Sequence, residues 1–379
     1  MNKIRQFINN SRSIGIVLLI CTFLSLLLTN GAQWGKDYHK FWELNIPIFY
    51  SFHLPCNFLH LINDALMAVF FFQVGMEIKR ETMVGELSSQ SKRVLPIIAA
   101  LSGVIFPAAI FSLINKGTPY LNGWAIPTAT DIAFSLGILS LLGKSVPHSL
   151  KVFLTALAIF DDLCAILIIA LFYASNLHLF WLLGVVPAIV AVFFLIRQTD
   201  SNFRKGLILF SGAVLWYCMY RSGIHSTFSG VILAMIMPVK KIPVIEQKIA
   251  IPVNFIILPL FALANTSIPF SASSVKELGS ALSMGIMLGL FFGKPLGITF
   301  AVWSLTKSKI IKLHSPIHWK QFIGIGILAG IGFTMSIFVS TLAFADKQMQ
   351  DTAKLSVLCA SFLAMIIGYL WLKIATPPR

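Results

Sequence analysis

From Val152 to Tyr173 the chain runs 22 residues with only two charges, the adjacent carboxylates Asp161 and Asp162. At about 1.5 Å of rise per residue, a helix of that length crosses the hydrocarbon core of a bilayer. An aspartate at the centre of such a helix costs about 2.5–3.5 kcal/mol, so the pair costs about 5–7. The 13 Leu, Ile, Val and Phe residues of the run return about 4–8 kcal/mol, at about 0.3–0.6 each. The sums nearly cancel. A helix so balanced has to hide its carboxylates in a bundle interior or a water-filled cavity, which points to an ion path or a proton relay. Helix-ending residues at a membrane surface are the competing explanation, but at least nine uncharged residues flank the pair on each side.

The rest of the chain supplies a bundle. Of its 379 residues 57% are hydrophobic and 11% charged, where a soluble domain has about 25% charged. Apolar runs predict spans near 14–28, 60–78, 94–115, 122–143, 150–173, 178–196, 206–220, 223–238, 250–266, 281–305, 320–344 and 353–373, twelve in all. The expected fold is an all-α membrane protein. No polar linker divides it, so residues 1–379 read as a single polytopic domain. Basic Met1–Arg12 leads into the first span, and no small-x-small cleavage site follows, so it reads as an uncleaved span rather than a signal peptide. Residues 33–59 form an amphipathic connector whose ELNIPIFYSFHL alternates loosely, the pattern of a short external β-hairpin. Five cysteines without a CxxC read as small buried apolar residues rather than a disulfide or metal set.

A net charge of +15 invites a nucleic-acid partner, but its placement says otherwise. With the N-terminus cytoplasmic, 21 of the 29 basic residues lie inside, 7 lie outside, and Lys294 sits within a span. That is the positive-inside bias, and shifting the count by one span spoils it. The basic charge orients the chain, with lipid headgroups as secondary contacts and no nucleic acid.

Two spans look interrupted. Trp124-Ala-Ile-Pro-Thr-Ala-Thr-Asp131 places Pro127 beside a carboxylate, and Gly324-Ile-Gly-Ile-Leu-Ala-Gly-Ile-Gly-Phe-Thr334 packs four glycines together. Either alone is compatible with ordinary close helix packing. Together they fit inverted-repeat transporters, whose corresponding halves carry such breaks. They fall in spans 4 and 11, and the units of spans 3–5 and 10–12 are inverted by parity.

The intramembrane charges suggest roles. Asp161 and Asp162 diverge by about 100° on a helix, so one can face a cavity while the other meets a counter-charge. Asp131 follows Thr130; a helix break there offers hydroxyls and freed carbonyls as oxygen ligands, although a plain helix cap is the alternative. Lys294, in FFGKPLG, needs a carboxylate or half-helix C-termini unless it snorkels from a span end. Glu77, Arg80 and Glu81 share one helix face by their i, i+3, i+4 spacing, beside Asp64 on the same span. Solvated helix-end charge is the plain alternative for them. His225 reads best as a hydrogen-bonded interhelical histidine.

The strings NDALMAVFFFQVGMEIKRE, GWAIPTATDIAFSLGILSLLG, ALAIFDDLCAILIIALFY, SGIHSTFSG, FGKPLG and GILAGIGFTMSIF, in this order, resemble the NhaA-type bacterial sodium/proton antiporters. That family is itself an example of the inverted-repeat architecture. The resemblance implies about 12 transmembrane helices with cytoplasmic termini in a bacterial inner membrane. It also implies two discontinuous helices, spans 4 and 11, crossing near mid-membrane, and a homodimer. Carried over by position, Asp161 and Asp162 bind Na⁺, Li⁺ or protons, and Asp161 partners Lys294. Thr130 and Asp131 belong to the crossing, and Glu77, Arg80 and Glu81 to a cytoplasmic pH response. The loop between spans 8 and 9 departs from the family pattern, with Glu246 among lysines and no histidine.

The expected function is secondary active transport, electrogenic and pH-regulated: a hard cation and protons compete for the same carboxylates, whose titration is coupled. No GxxxxGK[ST] loop is present, so neither ATP nor another cofactor is called for. Two rivals remain. An intramembrane aspartyl protease needs carboxyls about 3 Å apart, which neighbours on one helix supply poorly, although Asp131 with Asp161 could. A passive cation channel predicts currents uncoupled from proton gradients.

Overall fold

The computed structural model describes residues 11–47, 49, 52, 54–174, 177–198, 201–270, 276–309 and 318–376. Lys3, Arg5, Lys312 and Arg379 of the charge count lie outside them, as does part of the connector read as a hairpin. Among the described residues the named elements are all helical. The hairpin comes down to one antiparallel bridge, Asn45 with Asn57, and the Ile46 N–H bonded to the Cys56 carbonyl at 2.8 Å. Pro47 and Pro55 each lack the N–H that a longer ladder needs.

Among the described residues, eight helices are long and apolar enough to cross a membrane: α1 (Arg12–Thr29), α3 (Phe58–Met83), α4 (Arg93–Ile114), α6 (His148–Phe172), α7 (Leu179–Arg197), α10 (Val239–Asn265), α11 (Ala281–Lys307) and α14 (Lys347–Ala375). Two bent pairs qualify as one span each. The 3₁₀ segment Pro119–Thr128 meets α5 (Ile132–Leu141) at 43°, and α12 (Trp319–Ala329) meets α13 (Phe333–Ala343) at 46°. The interruptions read from Pro127 and the glycine run are therefore real bends. Short α2 (Gly35–Glu43) lies in the connector after α1, and α8 (Asn202–Ser222) and α9 (Phe228–Ile236) occupy the seventh and eighth predicted spans. The last two do not reach the standard of the others, α9 having only 9 residues.

The helices gather into two compact units. The first comprises Met1–Asn30, Glu86–Ala165 and Ile268–Arg379; the second comprises Gly31–Gly85 and Ile166–Ser267. In the first, α4 packs along the second half of α11. They meet backbone to backbone, since a Cβ on Gly297 would collide with the Ser102 carbonyl. Phe134 meets Phe333 edge-on at 4.6 Å, and Phe111, Phe322 and Phe338 fill the core. In the second unit α9 lies on α3 and α7 on α8. Asn63 and Asn265 bond each other through their amides at 2.8 and 3.3 Å.

Among the described residues, three helices carry a π-turn, Ile62–Leu66 in α3, Val253–Ile257 in α10 and Gly289–Gly293 in α11. The latter two run directly into Leu258-Pro259 and Lys294-Pro295. A proline has no N–H for the carbonyl four residues back, so the turn before it loosens. In α11 that loosened turn delivers Lys294.

Gly297→Ala tests the close contact. Overpacking a tight site costs about 1–3 kcal/mol, so the variant is expected to melt earlier in detergent than the parent. An unchanged midpoint would mean that α4 and α11 separate freely.

Candidate ion-binding site

Breaking a helix leaves carbonyls at one half's end and N–H groups at the other half's start without partners. Inside a bilayer each unsatisfied group costs several kcal/mol. The two breaks, both in the first unit, solve this for each other. Where α12 ends, the Leu328 carbonyl accepts from Ser135 Oγ at 2.8 Å and the Ala329 carbonyl from Thr130 Oγ1 at 2.7 Å. The Ile331 carbonyl takes the Asp131 N–H at 2.7 Å. Where α5 begins, Asp131 Oδ1 caps the Phe134 N–H at 3.1 Å. Where α13 begins, Asp131 Oδ2 accepts from the Thr334 N–H at 3.2 Å and from the Thr334 hydroxyl. Ser361, on α14, accepts from the Phe333 N–H at 3.1 Å. Asp131 thus caps two half-helices at their positive ends.

Beside this clasp lies a buried ion pair. Lys294 Nζ stands 2.5 Å from Asp161 Oδ2 and donates to Thr130 Oγ1 at 2.9 Å. Both partners are sealed from solvent, with side-chain exposures of 1% and 2%. The Lys294 ammonium can only donate, so Thr130 Oγ1 accepts from it, and Thr130 Oγ1 also lies 2.7 Å from the Ala329 carbonyl. Thr130 hydrogen-bonds Asp161 as well, through its side chain and its backbone. Asp161 Oδ1 has no hydrogen-bond donor among the described residues. Asp162, next along α6, is also buried. The resulting oxygen set (a carboxylate with a spare atom, a hydroxyl oxygen and a second carboxylate nearby in sequence) suits a small hard cation.

The profile of the Na+/H+ antiporter 1 family matches residues 5–372. This chain belongs to that family. Curated relatives match it over more than nine-tenths of their length. Na(+)/H(+) antiporter NhaA of Cytophaga hutchinsonii is 45% identical over 379 residues, covering 97% of this chain and 94% of that protein. Na(+)/H(+) antiporter NhaA 2 of Flavobacterium johnsoniae is 45% identical, covering 97% and 91%. Na(+)/H(+) antiporter NhaA 1 of Klebsiella pneumoniae is 44% identical, covering 98% and 96%.

Within this family member the remaining expected residues lie in the second unit. Arg80 stands 3.1 Å from Glu81 and 3.5 Å from Glu246, and Glu77 lies half-buried on the same helix. Lys79 donates to the Met235 and Met237 carbonyls at 2.5 and 2.6 Å, offsetting the negative end of α9. Asp64 accepts from the Ser226 hydroxyl at 3.0 Å, and the Asp64 carbonyl accepts from Trp216 Nε1 at 2.9 Å. His225 is hydrogen-bonded to the Tyr173 backbone, as an interhelical histidine should be. Three residues of the clasp escaped the sequence reading: Ser135, Thr334 and Ser361. The one signal available for Thr334 was its place directly after the glycine run.

Thr334→Val removes a hydroxyl that donates to a buried carboxylate, a bond worth about 1.5–3 kcal/mol. It is expected to lower both detergent stability and exchange rate, while Thr334→Ser keeps both near the parent. Equal behaviour of the two variants would remove the hydroxyl from the clasp's design.

Proposed function

We propose that this chain is an electrogenic Na⁺(Li⁺)/H⁺ antiporter that moves cytoplasmic sodium out of a bacterial cell in exchange for external protons. The observation that carries the proposal is the buried Asp161–Lys294 pair set against the broken helices, in a chain of this family. Asp161 and Asp162 are the groups for which Na⁺, Li⁺ and protons compete. Thr130 offers a hydroxyl oxygen that already accepts from Lys294. Asp131 supports the site chiefly as a cap, and Lys294 as the counter-charge to Asp161 when no cation is bound. Glu77, Arg80, Glu81 and Glu246 adjust the pH response from the cytoplasmic face without carrying the ion.

Around this site we place a single domain of twelve spans, α8 and α9 included, with spans 3–5 and 10–12 as inverted repeats and the broken spans 4 and 11 crossing. It sits in the inner membrane with cytoplasmic termini, as a homodimer among lipids. Whichever occupant neutralises the carboxylates allows the change of access. The buried ion pair favours this over the aspartyl protease, because Asp161 is engaged with a lysine rather than sharing a proton with Asp131.

In everted vesicles, Asp161→Asn and Asp162→Asn are each expected to abolish Na⁺-driven dissipation of the pH gradient while the protein is still made. Normal exchange by both would sink the carboxylate mechanism.

Lys294 has two possible uses, as fixed support or as a carrier that releases a proton, and Lys294→Gln separates them. A potential of 100 mV supplies about 2.3 kcal/mol per net charge moved, so exchange in proteoliposomes should respond to a valinomycin-set potential. With the lysine as support, Lys294→Gln is less stable but its residual exchange still responds to potential. A stable variant whose exchange ignores potential would make the lysine the carrier.

A further inference from the structure

A helix broken in mid-membrane loses the hydrogen-bond ladder that fixes its two halves along one axis. The ten residues of α5 follow a non-helical stretch in which Ala129 and Asp131 have ψ of 152° and 106°. Their axial position therefore depends on contacts with other segments. At the start of α5 those contacts are the clasp. At its far end they come from the beginning of α1, where the Arg12 guanidinium donates to the Ser140 carbonyl in the last turn of α5. We propose that Arg12 is a positioning residue for the cation site, anchoring α5 along its axis and so setting where Thr130 and Asp131 stand. This rests on the reading of that site as the place where sodium binds.

The anchor is itself fixed. Among the named helices α1 is the chief neighbour of α5, and the two run antiparallel. A Cβ on Gly15 would stand 3.9 Å from the Phe134 ring and 4.0 Å from the Ala133 carbonyl, while Arg12, about one turn earlier in α1, reaches Ser140 further along α5. At the other end of α1, Asn30 Nδ2 donates to the Ile268 carbonyl at 3.0 Å. Asn30 Oδ1 accepts from the Phe270 N–H at 2.6 Å. All of these residues belong to the first unit. A second cation stands just past α5, where Lys151 Nζ on α6 donates to the Gly143 carbonyl at 3.4 Å. Asp131 at the positive start and cations at the negative end hold α5 by opposite charges.

Slack at one end of so short a rod is felt at the other. A binding constellation works only while its groups stay within about 0.5 Å of their places. Thr130 Oγ1 accepts from Lys294 at 2.9 Å, and the Asp131 N–H meets the Ile331 carbonyl at 2.7 Å, so both move if α5 slides. The competing role for Arg12 is that of a plain orienting charge near the N-terminus. Such a charge acts from anywhere on the cytoplasmic side and needs no fixed partner, whereas Arg12 is half-buried against one particular carbonyl.

The test uses the full-length protein, purified and reconstituted, with Na⁺ as the transported ion. Arg12→Gln is expected to raise the half-saturating Na⁺ concentration about two- to tenfold, the scale of a charge lost from a helix terminus, while the maximal rate changes little. Arg12→Lys keeps a cation and a donor there and is expected to fall close to the parent. A second readout is independent of transport: hydrogen exchange in detergent of the amides from Ile132 to Leu139. In Arg12→Gln these exchange faster, the Phe134 amide at the Asp131 cap included, and in Arg12→Lys they do not. Arg12→Met, which keeps the apolar stem, replaces the glutamine variant if that one inserts poorly. An unchanged half-saturating concentration in the uncharged variant overturns the proposal, as does an equal rise in Arg12→Lys. Faster exchange confined to residues 140–145 overturns it too, since Arg12 is then only a local cap. If Asp161→Asn exchanges sodium normally, the reading of the site fails, while the amide pattern still reports whether Arg12 anchors α5.

Discussion

A backbone interrupted inside a bilayer cannot turn to water, and in the first unit that constraint dictates the rest. The groups freed where α12 ends are carbonyls, so they demand donors. Thr130 Oγ1, the Asp131 N–H and Ser135 Oγ supply them from the opposite break. The groups freed where α5 and α13 begin are N–H donors, so they demand acceptors. Asp131 serves both helices, one oxygen each, and Ser361 serves α13 from α14. Neither break could be held so well alone, because each lacks the kind of partner the other has in excess. An isolated break would leave several bare polar groups in hydrocarbon, at several kcal/mol each.

The charges follow from the same arrangement. Lys294 reaches Thr130, whose hydroxyl is tied to the last turn of α12, where backbone dipoles leave partial negative charge. Asp131 lies where α5 and α13 begin and leave partial positive charge. Asp161 then balances the lysine directly. Such a pair adds little to stability, since desolvation consumes most of its Coulomb energy, while losing one partner costs about 3–5 kcal/mol. A chain selected for stability alone would do as well with apolar side chains of similar volume there. Retention of a lysine and an aspartate 2.5 Å apart makes sense if something is meant to displace one of them.

How much of this could be read beforehand depended on how unusual each residue is in its setting. Asp161, Asp162 and Lys294 stand out because a charge in a long apolar run is costly wherever it points. Pro127 and the glycines announced the breaks because they defeat a regular helix. Ser135, Thr334 and Ser361 were invisible for the opposite reason. Hydroxyls are routine in membrane helices and usually bond the carbonyl three or four residues back, as Thr22, Thr82, Thr155, Thr266 and Thr306 do here. Nothing in the sequence separates those from a hydroxyl that reaches across to another segment. The loose alternation of the connector does not extend past one bridge because Pro47 and Pro55 each remove a ladder donor. The spans at α8 and α9 were read from apolar content in a region whose helices are shorter or more charged than their neighbours.

The two units also handle charge in ways that set what each can do. Arg80 is more than a third exposed and shares itself between Glu81 and Glu246 at 3.1 and 3.5 Å. An ion pair in contact with water is worth about 0–1 kcal/mol and rearranges cheaply, so a change of protonation there can be absorbed by small movements. Asp161 and Lys294 have no such freedom. With both side chains almost wholly out of solvent, removing the lysine's charge from the carboxylate without a replacement is prohibitive. On the proposed exchange reading, that replacement is another positive charge, a proton on the carboxylate or a cation beside it. The burial that seals the pair from solvent is what would make the replacement one for one.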